Sequence, residues 1–537
     1  MHPDSNLIII ARMDNAETDS LNAEHLNAQL REENVFLREQ VQSLKGRIEW
    51  FEKQLFGQKS EKRPVDNPHQ GSLALGDTPA PVEPEGEQIT ITYQRGTAKK
   101  QRPDDCVNDA GLRFSADVPV EVIEMTPLEL SGPDADQYEI ISTQSTFRLA
   151  QRPASYVVLE YQRPVIKRKD QLTPEPCPAP ANVLDRSISD VSLLAGLLID
   201  KFQYHLPLYR QHQRMQQSGI TLSRATLTNL VKRAIALLSP IVQAQLDNIL
   251  LSRVLAMDET PIKAGKSGKG KMKQAWFWPL YGEQHEVVFT YSTSRARQHI
   301  EKTLNNHFQG TLLSDGYAAY ARYAEHCAGV THAQCWTHTR RQFIEAEKIE
   351  PEAVGQVLAL IAQLYRFETK INDQNLTGDK KREYRLANSK PVVDKLYEWC
   401  ESQLQRNDLT PQNPLTKALK YALSREQSLR VFLEEPDVPL DTNHLERAIR
   451  PVPMGRKNWL FCWTEIGAEH VGIIQSLIST CKLHDINPYT YLTDVLLRIS
   501  EHPASAIEEL TPRVWKEKFA DNPLRSDLYG AVNHVVE

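Results

Sequence analysis

The chain reads as a multidomain α+β and α/β protein. Three patterns carry that reading: a heptad repeat near the N-terminus, a middle region of three strand-like runs followed by alternating helix and strand, and long helical stretches around it. With 537 residues there is material for several domains. Charged residues make up 25% and no apolar run reaches the length of a bilayer span, so a soluble protein without a membrane partner is expected. Leu7 to Ile10 is a short apolar run with no charged segment before it, which is not a secretory pattern. Seven widely spread cysteines argue for a reducing, cytoplasmic compartment rather than a disulfide framework. Because 63 basic residues face 69 acidic ones, any binding to nucleic acid must use local patches.

The elements follow in order. Residues 16–63 carry Leu30, Leu37, Leu44 and Phe51 in one row and Val41, Ile48 and Leu55 in the other, with Asn34 at a seam position. This is a leucine-zipper-like coiled coil, expected to form a homodimer, in which a buried amide fixes the register. A linker rich in proline and acid occupies 64–88. A small β-rich module is expected over 89–180, from the runs ITITY, VPVEVIEM, YEIIST and SYVVLEYQRPVIKRK. It holds only Cys106 and Cys177, and two lone cysteines do not make a tetrahedral zinc site. Residues 190–245 are helical, with a break at Ser218-Gly219 and an N-cap at Ser223. A helix-turn-helix arrangement would bring Arg224 and Arg233 of the third helix, Ala225 to Leu238, to DNA.

A mixed sheet with a parallel part is expected over 250–475, interrupted at about 349–436 by a helical insertion. Its strands are LSRVLAMDETPIK, QAWFWPLYG, EVVFTYSTS, GTLLSDGYAAY and THAQCW, with ARQHIEKTLNN and TRRQFIEAEK as helices. Asp258 and Asp315 each finish an apolar strand, where ligands of such sheets gather. Period two places Asp258 and Glu259 on opposite faces, so Asp258 is assigned to the site and Glu259 to its surroundings. Downstream, DTNHLERAIRPVPMGRKNWLFCW predicts a helix capped by Asp441 or Thr442 and stopped at Pro451. Leu445, Ala448 and Ile449 form its apolar stripe, opposite Asn443, Glu446, Arg447 and Arg450. Arg456 and Lys457 follow, then Trp459, Phe461 and Trp463, which suit either base stacking or core packing. A helical tail occupies 478–520.

Two strand-end aspartates and a glutamate on a later helix are hard oxygen donors suited to two divalent ions, Mg2+ with Mn2+ able to substitute. The turn KAGKSGKGKMK adds Lys263, Lys266, Lys269, Lys271 and Lys273 as a phosphate track. Cys335 and His338, three apart with Cys327 and His332 nearby, carry spacing for a weak zinc site, against which packing and hydrogen bonding is preferred.

These motifs together resemble transposases of the insertion sequence 66 family: LFGQKSEK, MDETPIK, LLSDGYAAY, CWTHTRRQF, DTNHLERAIRPVPMGRKNWLF and TCKLHDINPYTYLTDVLLRI, in that order over nearly the whole chain. The resemblance implies a ribonuclease H-like core with the acidic triad Asp258, Asp315 and Glu446. It also implies DNA cleavage and strand transfer at the ends of a mobile element, with terminal inverted repeats and target DNA as partners and accessory proteins from the same element. Family members commonly carry a cysteine-rich zinc module between zipper and core, of which Cys106 and Cys177 are the remnant, so zinc is not carried over. Two other classes remain: a catalytically inactive DNA-binding regulator derived from a mobile element, and a nuclease or resolvase on a similar core.

Overall fold

The computed structural model describes residues 112–529, apart from 117, 134, 153–154, 170–174, 178–179, 269–270, 305–307, 461 and 463, together with 535–536. The expected coiled coil, the linker, the ITITY run, Cys106, Lys269, Phe461 and Trp463 lie outside the described residues.

The first part is a small sheet of β1 (Val120–Glu124), β2 (Tyr138–Arg152) and β3 (Ser155–Arg168), with β2 antiparallel and β1 parallel to β3. Cys177 is buried in its own small apolar cluster with Ile123, Leu159 and Tyr161. Three helices follow: α1 (Val191–Phe202), α2 (Leu208–Gln217) and α3 (Arg224–Leu250). Ser223 caps α3 by accepting from the Thr226 N–H at 3.0 Å. The helix runs well beyond Leu238, with Pro240 inside it at an exposed position. By length and composition α3 is apolar enough to cross a membrane, yet Leu227, Leu230, Ile235 and Leu238 face the protein core.

The central sheet comprises β4 (Val254–Met257), β5 (Thr260–Gly268), β6 (Lys271–Tyr281), β7 (Val287–Ser292), β8 (Gly310–Ser314) and β9 (Val330–Gln334). Its order is β7-β6-β4-β8-β9, with β5 continuing the line of β4 along β6. The pairs of β6 with β4, β5 and β7 are antiparallel, and β4, β8 and β9 run parallel. Helices α4 (Arg297–Leu304), α5 (Ala318–His326) and α6 (Trp336–Ala346) connect and follow these strands. The AAY segment after Gly316, expected as strand, begins α5, because the chain turns back at Asp315-Gly316 to cross over toward the parallel β9.

Lys263, Lys266, Lys271 and Lys273, expected in a turn, are on strands. β5 and β6 pair antiparallel from Thr260 with Phe277 to Gly268 with Lys271, with register shifts near Met272. The far edge strand β7 is covered by α14 (Glu465–Leu483), whose Ser476 and Thr480 hydroxyls accept from the Phe289 and Val287 N–H groups at 2.9 and 3.1 Å. That approach needs Gly472, since a Cβ there would stand 2.5 Å from the Phe289 carbonyl oxygen.

Between β9 and the Glu446 segment lie α7 (Pro351–Asp373), α8 (Gly378–Tyr384), α9 (Lys390–Leu404), α10 (Pro414–Leu423) and α11 (Glu426–Glu434). Arg385 is fully buried at their centre. It bonds Glu368 at 2.7 and 2.8 Å and the carbonyls of Phe432 and Val438 at 2.7 and 3.1 Å. The chain then enters α12 (Asn443–Ile449) and α13 (Pro451–Trp459), and α15 (Pro488–Arg498) and α16 (Pro512–Lys518) come after α14.

Replacing Arg385 by alanine strands the Glu368 carboxylate and the Phe432 and Val438 carbonyls without their donor. Loss of about 3 kcal/mol in urea unfolding is expected; a change below about 0.5 kcal/mol, the level of an ordinary surface site, would show that the buried arginine does not hold this region.

Candidate functional site: a carboxylate cluster at the strand ends

Asp258 follows β4 and Asp315 follows β8, side by side because the two strands are parallel and in register through Ala256 and Leu313. A half-made ladder explains why the chain can leave the pleat here. The Asp258 N–H donates to the Pro279 carbonyl at 3.3 Å, but proline has no N–H to return, and β strand pairing resumes only at Thr260 with Phe277.

Freed from the ladder, Glu259 does not turn to the opposite face. Among the described residues, Asp258, Glu259 and Asp315 each offer a carboxylate oxygen within 4.8 Å of the others. Alternation holds only for paired, pleated backbone, so Glu259 comes against the two aspartates instead of facing away from them. The Glu259 side chain is 3% exposed. Its Oε1 accepts from Arg295 Nε at 2.7 Å and its Oε2 from Tyr320 OH at 2.6 Å.

Crowding of like charges shows in the electrostatics. Burial, then the neighbouring Glu259 and Asp315 carboxylates, push the Asp258 carboxyl up to about 7. Burial also raises that of Glu259. The offsetting donors are few: the Glu259 N–H to Asp258 Oδ1 at 2.7 Å and the Tyr317 N–H to Asp315 Oδ1 at 2.8 Å. Asp258 and Asp315, each bonded by one backbone donor, keep spare lone pairs, so they offer hard oxygens to a divalent cation.

Glu446 lies outside that 4.8 Å group. It sits on α12 with Oε1 at 3.7 Å from both His338 Nε2 and Arg341 Nη2 of α6. Glu446 Oε1 and His338 Nδ1 are buried and make no hydrogen bond. Leu445, Ala448 and Ile449 are the buried stripe of α12. Thr442 stands at the N-cap without a side-chain cap bond, and Asp441 before it accepts from the Asn443 N–H through Oδ1 at 3.0 Å. Pro451 ends α12 but also opens α13, with Arg450 still in the α region; its fixed φ suits a first helical position, so the proline marks a junction rather than a stop.

The other sequence-predicted residues are dispersed. Lys263, Lys266 and Lys271 are exposed on the hairpin, and Lys273 pairs with Glu465 at 3.3 Å. Arg447, Arg450 and Lys457 are exposed, whereas Asn443 donates to Asp441 at 2.6 Å and Arg456 donates to the Pro261 carbonyl. On α3, Arg233 bonds the Asp185 carbonyl at 3.1 Å and Arg224 lies over the Tyr209 ring at 5.8 Å. Cys335 is buried with its sulfur accepting from the Thr442 N–H and hydroxyl at 3.3 Å. His338 instead faces Glu446, so the two side chains serve different contacts. Trp459 packs against the core beside Gly455. Sequence reasoning missed Arg295, Tyr317, Tyr320 and Arg341, although TRRQF and DGYAAY flank assigned positions.

The family comparison closes the identification. A model described as "Transposase IS66 family" matches residues 186–470, more than half of the chain and the whole carboxylate site. The chain belongs to the IS66 transposase family. The IS66 C-terminal element matches 476–513, and a model described as "Transposase C of IS166 homeodomain" matches 43–123. Relatives in Sinorhizobium fredii include uncharacterized protein y4hP, 31% identical over 397 residues covering 70% of this chain and 71% of that protein. Uncharacterized protein y4jD is 32% identical over 358 residues, covering 63% and 68% respectively.

The turn after Asp315 is held from the helical segment: Arg425 Nη2 donates to the Gly316 carbonyl at 3.1 Å, and a Cβ on Gly316 would stand 2.1 Å from Tyr421 Oη. Gly316→Ala is expected to weaken Mn2+ binding in calorimetric titration, and adding Tyr421→Phe, which removes the obstructing oxygen, to restore part of it. Unchanged affinity in the single variant would separate this turn from the carboxylate cluster.

Proposed function

We propose that this chain is a DNA transposase of the acidic-triad kind, with Asp258, Asp315 and Glu446 as its triad on a ribonuclease H-like core. The carrying observation is the meeting of carboxylates from separate segments at adjacent strand ends, Asp258 and Asp315 with Glu259 within 4.8 Å, while Glu446 stands against His338, whose charge also bears on Asp258. The strand sequence supports the core: three antiparallel strands in succession, then two parallel strands reached by helical crossovers.

The donor set fits a divalent cation, since its like charges are poorly offset by protein donors and all its atoms are hard oxygens. Asp258, Asp315 and Glu446 would hold Mg2+, or Mn2+ in its place, which supplies activation of an attacking oxygen and stabilisation of a leaving one in phosphodiester chemistry. The protein's own part is position and charge. Arg341 faces Glu446 and stays half-exposed, where a phosphate can reach it. Lys263, Lys266, Lys271 and Lys273 on the β5–β6 hairpin, with Arg447, Arg450 and Lys457, would guide the DNA backbone toward the strand ends, and Lys269 would join them. Arg224, Arg233, Asn443 and Arg456 are tied to protein partners and serve DNA only by exchanging those contacts.

On this reading the substrates are the terminal inverted repeats of a mobile element and its target DNA, in the bacterial cytoplasm at the nucleoid. Residues 16–63 would pair two chains, and other proteins of the same element would assist.

Asp258→Ala, Asp315→Ala and Glu446→Ala should each lower nicking of a labelled terminal repeat by at least about a thousandfold, with DNA binding retained in a gel-shift assay. Chelation by EDTA should do the same to the unaltered chain, and Mg2+ or Mn2+ should restore it. Cleavage retained in a triad variant would overturn the assignment, and cleavage without joined products would indicate a nuclease. Sedimentation should give a dimer for the full chain and a monomer once residues 16–63 are removed; a dimer in both would refute pairing through the heptads.

A further inference from the structure

The two aspartates follow different strands, yet a path of hydrogen bonds and one ring contact joins them. From Asp258 it passes to the Glu259 N–H at 2.7 Å and along the Glu259 side chain to Arg295 Nε at 2.7 Å. The Arg295 guanidinium lies over the Tyr317 ring at 4.1 Å, and the Tyr317 hydroxyl donates to the Arg295 carbonyl at 2.6 Å. Tyr317 completes the path through its N–H to Asp315 Oδ1 at 2.8 Å. From the other side, Tyr320 of α5 donates to Glu259 Oε2 at 2.6 Å from a fully buried position.

Glu259 could enter the site in two ways that predict opposite effects. As a ligand it would compete with Arg295 for the same oxygens, so removing Arg295 would free it and tighten ion binding. Three donors already occupy its carboxylate, Arg295 through two nitrogens and Tyr320 through its hydroxyl, which leaves about one of some four acceptor positions open. Both arginine nitrogens meet the same oxygen, Oε1, and Tyr320 holds Oε2, so the two contacts together fix the carboxylate from both of its oxygens. Arg295 itself stands on the loop between β7 and α4, so the contact fastens a third segment to the two strand ends.

We infer that Glu259, Arg295 and Tyr317 form a positioning clamp that holds Asp258 and Asp315 at the separation a shared divalent ion requires, with Glu259 acting through Arg295 rather than as a ligand. The inference rests on the proposed ion site and assigns these three residues a role in it. Outer contacts that orient metal ligands typically change ion affinity by roughly ten- to a hundredfold when removed.

The test is Mn2+ titration of the full chain, with free ion counted by electron paramagnetic resonance, alongside thermal unfolding. Arg295→Ala should weaken binding by roughly ten- to a hundredfold without changing the number of ions bound. Arg295→Lys, which keeps the charge but not the fork, should recover only part of the loss, and Tyr317→Phe should give a smaller loss of the same kind. Because Arg295 is half-exposed, these variants should fold, and the unfolding midpoint checks it. Tighter binding in Arg295→Ala would overturn the clamp and make Glu259 a ligand; unchanged affinity would overturn it outright. Asp258→Asn serves as the control for the ion site. If the unaltered chain and Asp258→Asn bind Mn2+ alike, the site itself is wrong, whereas loss in Asp258→Asn with no change in Arg295→Ala refutes the clamp alone.

Discussion

The carboxylate oxygens of Asp258, Glu259 and Asp315, packed within 4.8 Å of one another, set the condition the surrounding structure must meet. At about 4 Å and an effective dielectric near 20, each pair of full charges costs about 4 kcal/mol. Neither backbone N–H groups nor one arginine cancels three such pairs, which is why the Asp258 carboxyl rises to about 7 through burial and its acidic neighbours. Glu259 is the member whose charge is answered, by Arg295 and Tyr320. The two aspartates are left with one backbone donor each from the following residues, so the uncompensated charge is concentrated where two parallel strands end.

The helical segment between β9 and α12 is part of this arrangement rather than an appendage. Trp336, directly after Cys335, is fully buried and donates from its ring to the Leu429 carbonyl at 3.0 Å, while its N–H bonds Leu440 at 3.1 Å. Arg385 gathers the carbonyls of Phe432 and Val438. The exit of the segment is thus pinned to the start of α6, and Thr442 bonds Cys335 across the same junction. These contacts deliver Glu446 to His338 and Arg341. Tyr421 and Arg425 meanwhile press on the Gly316 turn. One packed unit therefore bears on both the second aspartate and the distant glutamate.

What the sequence made legible follows from what it encodes locally. The apolar runs before Asp258 and Asp315 mark buried strands, and the wheel of α12 separates its buried stripe from Glu446, because both are periodicities of a single element. Glu259 was misplaced because its position depends on Pro279, a residue on a neighbouring strand that withholds one ladder bond. The lysine hairpin was read as a turn since glycines and lysines dominate it, although pairing with β6 extends it as strand. Pro451 was read as a stop, but proline at a first helical position is favourable, and only the packing of α13 reveals the junction. Arg295 and Tyr320 carried no signal of their own, as their roles arise from segments brought together by the sheet.

Glu446 is held outside the cluster, against His338 and Arg341, and the electrostatics give a reason. A fourth carboxylate entering a site with uncompensated negative charge would add further repulsion, whereas beside His338 and Arg341 it faces groups of opposite or neutral character. On the proposed reading, a cation between the strand ends reverses that balance, since it makes the approach of another carboxylate favourable. DNA acts in the same direction: a phosphate drawn to Arg341 takes up the positive charge that faces Glu446. On the proposed reading, the separation of Glu446 from the aspartates follows from the charge count, and assembly of the full triad would be coupled to the arrival of ion and substrate.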